Sequence, residues 1–158
     1  MLPQNAKSLE PSYRKILLII AAIVPLIMIG PLMPFMIFAD AIPLWLRIIL
    51  ALALILLVAV LLALYTRRWY QHYHYWLQSE GLHISKGVFW RSVTLIPKNR
   101  VQHIDIASGP LDRRYDLAKL IVHTAGTRNA SVSLPGLLQA DAVSLRQQLL
   151  DLQDDDIV

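Results

Sequence analysis

The segment Tyr73–Trp90, "YHYWLQSEGLHISKGVFW", marks the point where the chain changes from long apolar runs to alternating apolar and polar residues. Its first half is rich in Tyr and Trp, its second half alternates around Leu82 and Ile84, and Ser79-Glu80-Gly81 separates the halves. Such residues on both sides of a glycine turn are typical of a β-hairpin. The segment therefore predicts two antiparallel strands that open a β-sheet domain.

Four further stretches downstream alternate with a period of two, as half-buried antiparallel strands do. The pairs that share a face are Val93 with Leu95, Ile104 with Ile106, Leu120 with Val122, and Val132 with Leu134. Pro135-Gly136 is predicted to end the last strand. The sequence therefore predicts six or seven short strands in all.

The C-terminal segment returns to a helical period. Apolar residues recur at i, i+4, i+7 and i+11, at Leu138, Ala142, Leu145 and Leu149. This spacing predicts one amphipathic helix that packs against the open end of the sheet.

Two long apolar stretches precede the strands. Residues 16–38 carry no charge, and residues 44–64 carry only Arg47. A helix needs roughly 20 apolar residues to cross a bilayer, so the two stretches predict a transmembrane helical hairpin with spans of about 16–38 and 44–64. A cleaved signal peptide fits the first stretch poorly, because the apolar run is long and no small-residue cleavage site follows it.

Basic residues flank the outer ends of this hairpin. Arg14 and Lys15 precede it, and Arg67 and Arg68 follow it. The positive-inside rule therefore predicts that both termini are cytoplasmic, in a multi-pass protein of the bacterial inner membrane. Arg47 is expected to reach the outer interface with its side chain, although a charge inside a span can also mark a polar site.

The first stretch contains Pro25, Gly30, Pro31 and Pro34. Proline removes a backbone donor, so this helix is predicted to bend or break near Gly30. A kinked anchor is the simpler interpretation, and a substrate path through an unwound helix is the alternative. The predicted organisation is an N-terminal cytoplasmic segment (1–15), a hairpin (16–66), a cytoplasmic domain (67–152) and an acidic tail (153–158).

The soluble part resembles the bacterial pleckstrin-homology (PH) domain, of the bPH2 type, found in YdbS-like membrane proteins. The motifs that carry the resemblance are "EGLHISKGVFWR", "IPKNRVQHIDI", "GPLDRRYDLAKLIVHTAG" and "SLPGL". It implies a membrane-anchored α+β protein with seven antiparallel strands in two packed sheets, a β-sandwich or partly open barrel with a C-terminal helix. It also implies a partner of the same family.

Asp116 departs from the family pattern, which has glycine at this position. Glycine there would serve a backbone conformation with positive φ, and Asp tolerates that conformation better than most residues. Another departure concerns ligands, because the first hairpin loop, Ser79-Glu80-Gly81, carries none of the basic residues that phosphoinositide-binding PH domains use.

The candidate contacts for an anion or a partner are four arginines: Arg100, Arg113, Arg114 and Arg128. Residues 67–128 hold ten Lys/Arg and four Asp/Glu, and residues 129–158 hold one Arg and five Asp. A basic region tethered under an anionic leaflet is attracted to it. The preferred interpretation of Arg113-Arg114 is a solvated turn at the start of a strand, because Asp112 and Asp116 flank it.

The sequence gives little support for a metal site or a catalytic site. His72 and His74 lie two residues apart, with His83 and His103 as further candidates, but no carboxylate completes a ligand set. The chain has no cysteine, which excludes disulfides, thiolate metal sites and Cys nucleophiles. No G-x-S-x-G turn, phosphate-binding loop or dinucleotide motif occurs. We therefore expect no enzyme, no metal and no cofactor.

The function expected from these features is a non-enzymatic membrane protein that presents a PH-like domain to another protein. The expected partners are the lipid bilayer and a related PH-domain membrane protein or a second copy, with no nucleic acid. One alternative is a module that binds anionic lipid head groups. Another is a subunit of a transport or envelope-stress and resistance complex.

Overall fold

A computed structural model describes residues 3, 5–27, 30–31, 34, 42–125 and 131–154. The chain divides into two compact units. One unit combines residues 1–14 with residues 69–158, and the other spans residues 15–68. The first therefore joins two parts of the chain that the sequence assigns to separate segments.

The first unit, which we call the globular unit, contains two antiparallel sheets. The first sheet has the order β1-β2-β3-β4 and the second the order β5-β6-β7. The strands are β1 (Lys7–Ser8), β2 (His74–Gln78), β3 (Gly81–Lys86), β4 (Ser92–Pro97), β5 (Val101–Ala107), β6 (Leu117–Thr124) and β7 (Ser131–Leu138). The predicted hairpin around residues 79–81 is confirmed as β2 and β3, in which Gln78 pairs with Gly81.

The strand β1 was not predicted, because two polar residues carry no periodic signal. Lys7 pairs with Tyr75 and Ser8 pairs with His74, so β1 forms one edge of the first sheet. The following residue, Leu9, is 1% exposed and belongs to the same hydrophobic core as the sheets. The N-terminal segment thus supplies the seventh strand.

The predicted C-terminal helix is α4 (Gln139–Asp154), the last of four helices in the described chain. Its buried face consists of Ala142, Leu145 and Leu149, as the periodicity predicts, but Leu138, the first residue of the predicted face, is the last residue of β7. The helix packs against β6 and β7 of the second sheet and also against β3 of the first. The core therefore lies between two sheets and one helix.

The prediction that Pro135-Gly136 ends the last strand is wrong. Strand β7 continues through both residues to Leu138. The pairing register shifts between Ala118, which pairs with Leu137, and Leu120, which pairs with Leu134. A bulge of this kind accommodates a proline that cannot donate to the ladder and a glycine with φ of +67°.

Helix α1 (Pro11–Ile27) begins in the globular unit and is fixed there at its first turn. The backbone N–H of Glu10 donates to the carbonyl oxygen of Gly136 at 2.9 Å. Tyr13 lies so close to Gly136 that a Cβ on that glycine would approach the ring Cγ to 2.6 Å. The bulge of β7 therefore holds the start of α1.

Helix α2 (Leu44–Gln71) ends in the same unit. The ring of Trp69 lies 6.5 Å from that of Tyr13 and 4.8 Å from that of Tyr73. The phenol of Tyr70 donates to the carbonyl oxygen of Leu9 at 2.8 Å. Aromatic packing thus ties the last turn of α2 to the first turn of α1.

Burial changes the acidity of the neighbouring phenols. Burial, with the charges of Asp141 and Glu10, raises the pKa of Tyr75 to about 12. Burial is also the main reason that the pKa of Tyr73 is raised, and its hydroxyl donates to the carbonyl oxygen of Ser133 at 3.2 Å. Both phenols therefore stay neutral at physiological pH.

The turn before β6 confirms the expectation for Asp116. Helix α3 (Pro110–Arg114) forms a single turn, and Tyr115 and Asp116 follow it. Asp116 has φ of +53° and is the sole positive-φ residue other than glycine in the described part of the chain. The Asp112 carboxylate accepts from the N–H of Gly109 at 2.9 Å and so fixes the start of this turn.

The second unit holds the apolar segments. Helix α2 is long and apolar enough to cross a membrane, and it is the one such helix in the described chain. It continues seven residues past the predicted end of the second span, at Leu64, to Gln71. The described part of α1 ends at Ile27, so residues 28–29, 32–33 and 35–41, with most of the predicted kink near Gly30, lie outside the described residues.

Two features of the second unit qualify the sequence analysis. Ala21 and Ala22 of α1 line one groove of about 250 Å³ together with Ala59 and Ala63 of α2. Arg47 is 8% exposed, and its Nε donates to the carbonyl oxygen of Ile42 at 2.6 Å. Its guanidinium therefore contacts the backbone just before α2 begins.

The contact between Gly136 and Tyr13 generates a stability prediction. Replacing Gly136 with Ala strains a positive-φ position and places a methyl group against the Tyr13 ring. We expect the free energy of unfolding to fall by about 1–3 kcal/mol, measured by urea unfolding of the full-length protein in detergent. Gly109→Ala is the matched control, because its Cβ would meet nothing closer than 3.2 Å. Equal losses in both variants would contradict the contact.

Candidate interaction surfaces

The outer face of β4 is apolar and exposed. Val93 is 61% exposed and Leu95 is 39% exposed, so the face predicted from their alternation is the one that points away from the core. The core side is occupied by Ile96, which is 2% exposed. Val93 pairs with Ser85 and Leu95 pairs with His83 on the neighbouring strand. We call Val93 and Leu95 the β4 face.

The loop between β3 and β4 carries two aromatic side chains that are largely exposed to solvent. Phe89 is 78% exposed and Trp90 is 88% exposed, and their rings meet edge to face at 6.4 Å. Gly87, with φ of +120°, provides the turn. Lys86 and Arg91 lie on either side, and the loop between them contains no acid. We call residues 86–91 the aromatic tip.

The β4 strand is also an edge of its sheet. In the described residues it pairs with β3 alone. Its residues Ser92–Ile96 include no charge, and its proline comes only at the end, at Pro97. Natural edge strands commonly carry inward charges or proline that prevent pairing with other chains. The β4 edge lacks such protection along its length.

The outer face continues across the sheet toward β2. The Trp76 ring stacks on the His83 imidazole with centroids 5.1 Å apart and planes 8° apart. Trp76 is 8% exposed. His83 Nε2 is buried and has no hydrogen-bond partner among the residues that the structure describes. A polar atom in this state is usually satisfied by water or by a bound partner.

The predicted arginines occupy three different elements. Arg113 and Arg114 form the exposed last turn of α3, and neither makes an ion pair with Asp112 or Asp116 in the described chain. Arg100 is exposed in the 3-10 turn Lys98–Arg100 between the two sheets. Arg128 lies outside the described residues. The role of the four arginines stays a prediction.

The residues predicted to flank the membrane lie within the helices. Arg14 and Lys15 are in the second turn of α1, and Arg67 and Arg68 are in the last turns of α2. Each helix therefore continues by roughly one turn beyond its apolar stretch, and the basic residues lie in that turn.

Beside the Asp116 turn lies an apolar groove of about 690 Å³, formed by Leu138, Ala140 and Val143 at the start of α4. Val143 is 52% exposed. The groove is adjacent to the turn that follows Arg113-Arg114, but its lining is almost entirely apolar and contains no basic residue. It therefore offers no anion site.

One of the candidate histidines, His103, lies beside His123, which the sequence analysis did not select. His103 on β5 pairs directly with His123 on β6, and their rings stack with centroids 4.0 Å apart. The Asp105 Oδ2 lies 3.1 Å from the His123 Nε2 and 3.6 Å from the His103 Nε2. In the described residues these three side chains are the one group with the donors for a metal ion. The predicted pair, His72 and His74, is not part of it.

The comparisons with known proteins agree with this fold. The family model of the bacterial PH domain, bPH_2, matches residues 15–153. The chain belongs to this family. It is also similar to the UPF0699 transmembrane protein YdbS of Bacillus subtilis (strain 168), with 33% identity over 88 residues.

That alignment covers 54% of this chain and 54% of YdbS, so the chain matches about half of its relative's length. No solved structure matches the chain. The family and the relative together identify a membrane-associated bPH-domain protein, and neither description names an enzymatic activity.

Sequence reasoning missed the aromatic tip and the histidine cluster for different reasons. The tip had a local signal in Gly87, but the sequence analysis placed Phe89 and Trp90 in the second strand of the hairpin, whereas β3 ends at Lys86. The cluster had none, because His103 and His123 come together only through the β5–β6 register.

The exposure of the tip generates a second prediction. Trp90→Ala should change the free energy of unfolding by no more than about 0.5 kcal/mol, because an exposed side chain has no packing to lose. Trp76→Ala, at a buried tryptophan of the same sheet, should lower it by about 3–5 kcal/mol. Urea unfolding of the full-length protein in detergent measures both. A large loss in Trp90→Ala would show that the tip is structural.

Proposed function

We propose that this protein is a membrane-anchored docking module, in which a PH-like domain binds a partner protein through the β4 edge. The observation that carries the proposal is an edge strand that combines unpaired backbone groups, an uncharged sequence and an exposed apolar face. Addition of a strand to such an edge is a common mode of protein recognition, because main-chain hydrogen bonds give affinity and side chains give specificity.

The anchor in this proposal is a two-span hairpin. Support comes from the pairing of Ser8 with His74, since both ends of the apolar insertion belong to one folded unit. A folded domain cannot lie on both sides of a bilayer, so the insertion crosses it an even number of times. Helix α2 supplies one crossing, and residues before it must supply the return.

Further support for the hairpin comes from α2 itself. Trp45 and Tyr65 are both exposed, and their separation of 20 positions along the helix corresponds to about 30 Å, the thickness of the hydrocarbon core. Aromatic residues favour both interfaces. The alanines of α1 and α2 face each other in one groove, and small residues allow close helix packing. With the basic flanks, this arrangement supports the proposal that both termini lie in the cytoplasm.

The charge around β4 favours a different protein over a second copy as the partner. If two copies paired antiparallel along this edge, Arg91 of one would lie near Lys98 and Arg100 of the other. Like charges placed opposite one another oppose such an interface. An edge strand with acidic flanks, on a related PH-like domain, removes this repulsion and is the occupant that we propose.

A second candidate function, contact with lipid, rests on the aromatic tip. Phe89 and Trp90 are exposed at a turn between Lys86 and Arg91. Aromatic side chains settle at the head-group level, and each basic residue near an anionic surface contributes about 1 kcal/mol. No observation in the described residues bears on a transport or envelope-stress complex, which stays a prediction.

The hairpin can be tested by labelling, because the chain has no cysteine. Ser8→Cys, Ala41→Cys and Asp151→Cys should be made singly and treated with a membrane-impermeant maleimide in bacterial cells with a permeable outer envelope. We expect Ala41→Cys to react directly and the other two to react only after the membrane is opened. Opposite sidedness of Ser8→Cys and Asp151→Cys would contradict a single folded unit, and protection of Ala41→Cys would contradict the hairpin.

The partner can be tested by a benzophenone amino acid placed at Val93, with Ser131 on the second sheet as the control site. We expect irradiation of cells to join Val93 to a different membrane protein that carries a PH-like domain, identified by mass spectrometry. Arg91→Glu with Arg100→Glu should lower the yield several-fold, and Arg113→Glu with Arg114→Glu, an equal change of charge, should not.

Other outcomes of the same experiment decide between the candidates. A crosslink between two copies of this chain would contradict a separate partner protein. Lipid adducts from a benzophenone at Trp90, with no protein adduct at Val93, would replace docking with lipid contact as the function.

A further inference from the structure

The second sheet carries a cluster of three polar side chains on the face opposite the core. His103 and Asp105 are two residues apart on β5, so both point away from the buried Ile104 between them. His123 lies on β6 directly opposite His103, and it follows the buried Val122. The alternation of two paired strands thus places all three side chains on one outer face.

The cluster has the donor set of a transition-metal site. Two imidazole nitrogens and a carboxylate oxygen are the ligands of many three-residue zinc sites, in which water takes the fourth position. The donor atoms lie within 4.8 Å of one another. In a tetrahedral zinc site the bonds of about 2.0–2.1 Å place neighbouring donors about 3.3 Å apart. The separations of 3.1 and 3.6 Å from Asp105 to the two imidazoles bracket that value.

The site needs only a small rearrangement to receive an ion. The two rings are stacked with an interplanar angle of 13°, and the Nε2 atoms of both lie near the same oxygen of Asp105. Rotation of the imidazoles about their side-chain bonds would turn both Nε2 lone pairs toward one point beside Asp105. The side chains of His103 and Asp105 are 61% and 57% exposed, which leaves room for this rotation and for bound water.

The simpler interpretation is that Asp105 only pairs with the two histidines across the strands. Such pairing accounts for the position of the His123 imidazole, because its Nε2 is within hydrogen-bond distance of the Asp105 carboxylate. It does not account for His103, which approaches the same oxygen of Asp105 at 3.6 Å and stacks on the other ring. An ion shared by all three groups would account for their convergence.

We propose that His103, Asp105 and His123 form a binding site for a divalent transition-metal ion of the zinc type. Imidazole and carboxylate ligands together suit Zn²⁺ better than Mg²⁺ or Ca²⁺, which take oxygen ligands. The strand backbone fixes the spacing of the three ligands, and water completes the coordination. The site lies on the sheet that does not contain β4, so it stands independently of the proposed docking edge.

The test uses the full-length protein in detergent, purified with a tag that contains no histidine and freed of metal with a chelator. Zn²⁺ is then titrated by calorimetry. We expect one ion per chain for the natural sequence, and affinity reduced at least tenfold in Asp105→Asn and in His123→Asn. Tenfold is the lower end of the effects known for groups that only orient ligands, so the loss of a ligand itself should reduce the affinity by at least this factor.

His74→Asn is the matched control, because His74 also lies on a strand but outside the cluster. Its affinity for Zn²⁺ should equal that of the natural sequence. Excess Zn²⁺ should also raise the melting temperature of the natural protein and of His74→Asn, but not that of Asp105→Asn, since an ion that binds only the folded state stabilises it.

Co²⁺ provides a spectroscopic measurement of the same site. Bound in place of Zn²⁺, it should give visible absorption of a four-coordinate ion in the natural protein and lose it in His103→Asn, whose exposed side chain can be changed without loss of the fold. Absence of Zn²⁺ binding to the natural sequence would overturn the proposal. So would equal affinities in His74→Asn and Asp105→Asn.

Discussion

The pairing of Ser8 with His74 is the constraint on which the rest of the structure depends. These two residues are neighbours in a sheet and are separated along the chain by the whole apolar insertion. Two nearby contacts also join residues from the two sides of the insertion: Tyr13 lies against Gly136, and Tyr70 donates to the Leu9 carbonyl. Residues before and after the insertion therefore fold as one body. In the proposed membrane topology, the anchor is therefore an insertion within the domain.

As a result, the two edges of the first sheet differ in which strand forms them. One edge is covered by β1, which the N-terminal segment supplies, and the other, β4, stays open in the described structure. The open edge has an uncharged strand, an apolar face and an aromatic tip, with basic residues at both ends. Its charge is the reason that we propose a partner with acidic flanks. The second sheet carries a separate feature, the cluster of His103, Asp105 and His123 on its outer face.

Much of the fold could be predicted from the sequence, and the failures have physical causes. Alternation identified β2 and β3, and the helical period identified the buried face of α4. A positive φ was anticipated at Asp116. Alternation alone could not say that Val93 points outward, because either face of an edge strand can be apolar. The β1 strand was not predicted because a strand of two residues shows no periodicity. It forms because it pairs with β2, and not because its residues have a high β-propensity.

The candidate sites were less predictable than the fold, because they depend on register. Arg113 and Arg114 were conspicuous as a doubled charge, yet the structure gives them no partner among the described residues. His123 was not selected, although the β5–β6 ladder places it opposite His103. Pro135-Gly136 was read as a strand end because proline and glycine usually interrupt strands. In the structure a bulge retains them, and Gly136 becomes the contact for Tyr13.

The most direct test of this account is a disulfide between Ser8→Cys and His74→Cys in the otherwise cysteine-free chain. Paired positions on neighbouring strands have the Cα separation that a disulfide needs. Mild oxidation of the purified protein should crosslink this pair, so that fragments cut within the insertion stay joined until reduction. Ser8→Cys with Gln78→Cys, four residues further along β2, should not crosslink. Failure of the first pair, or equal yields in both, would contradict the claim that the apolar anchor is inserted into a single folded domain.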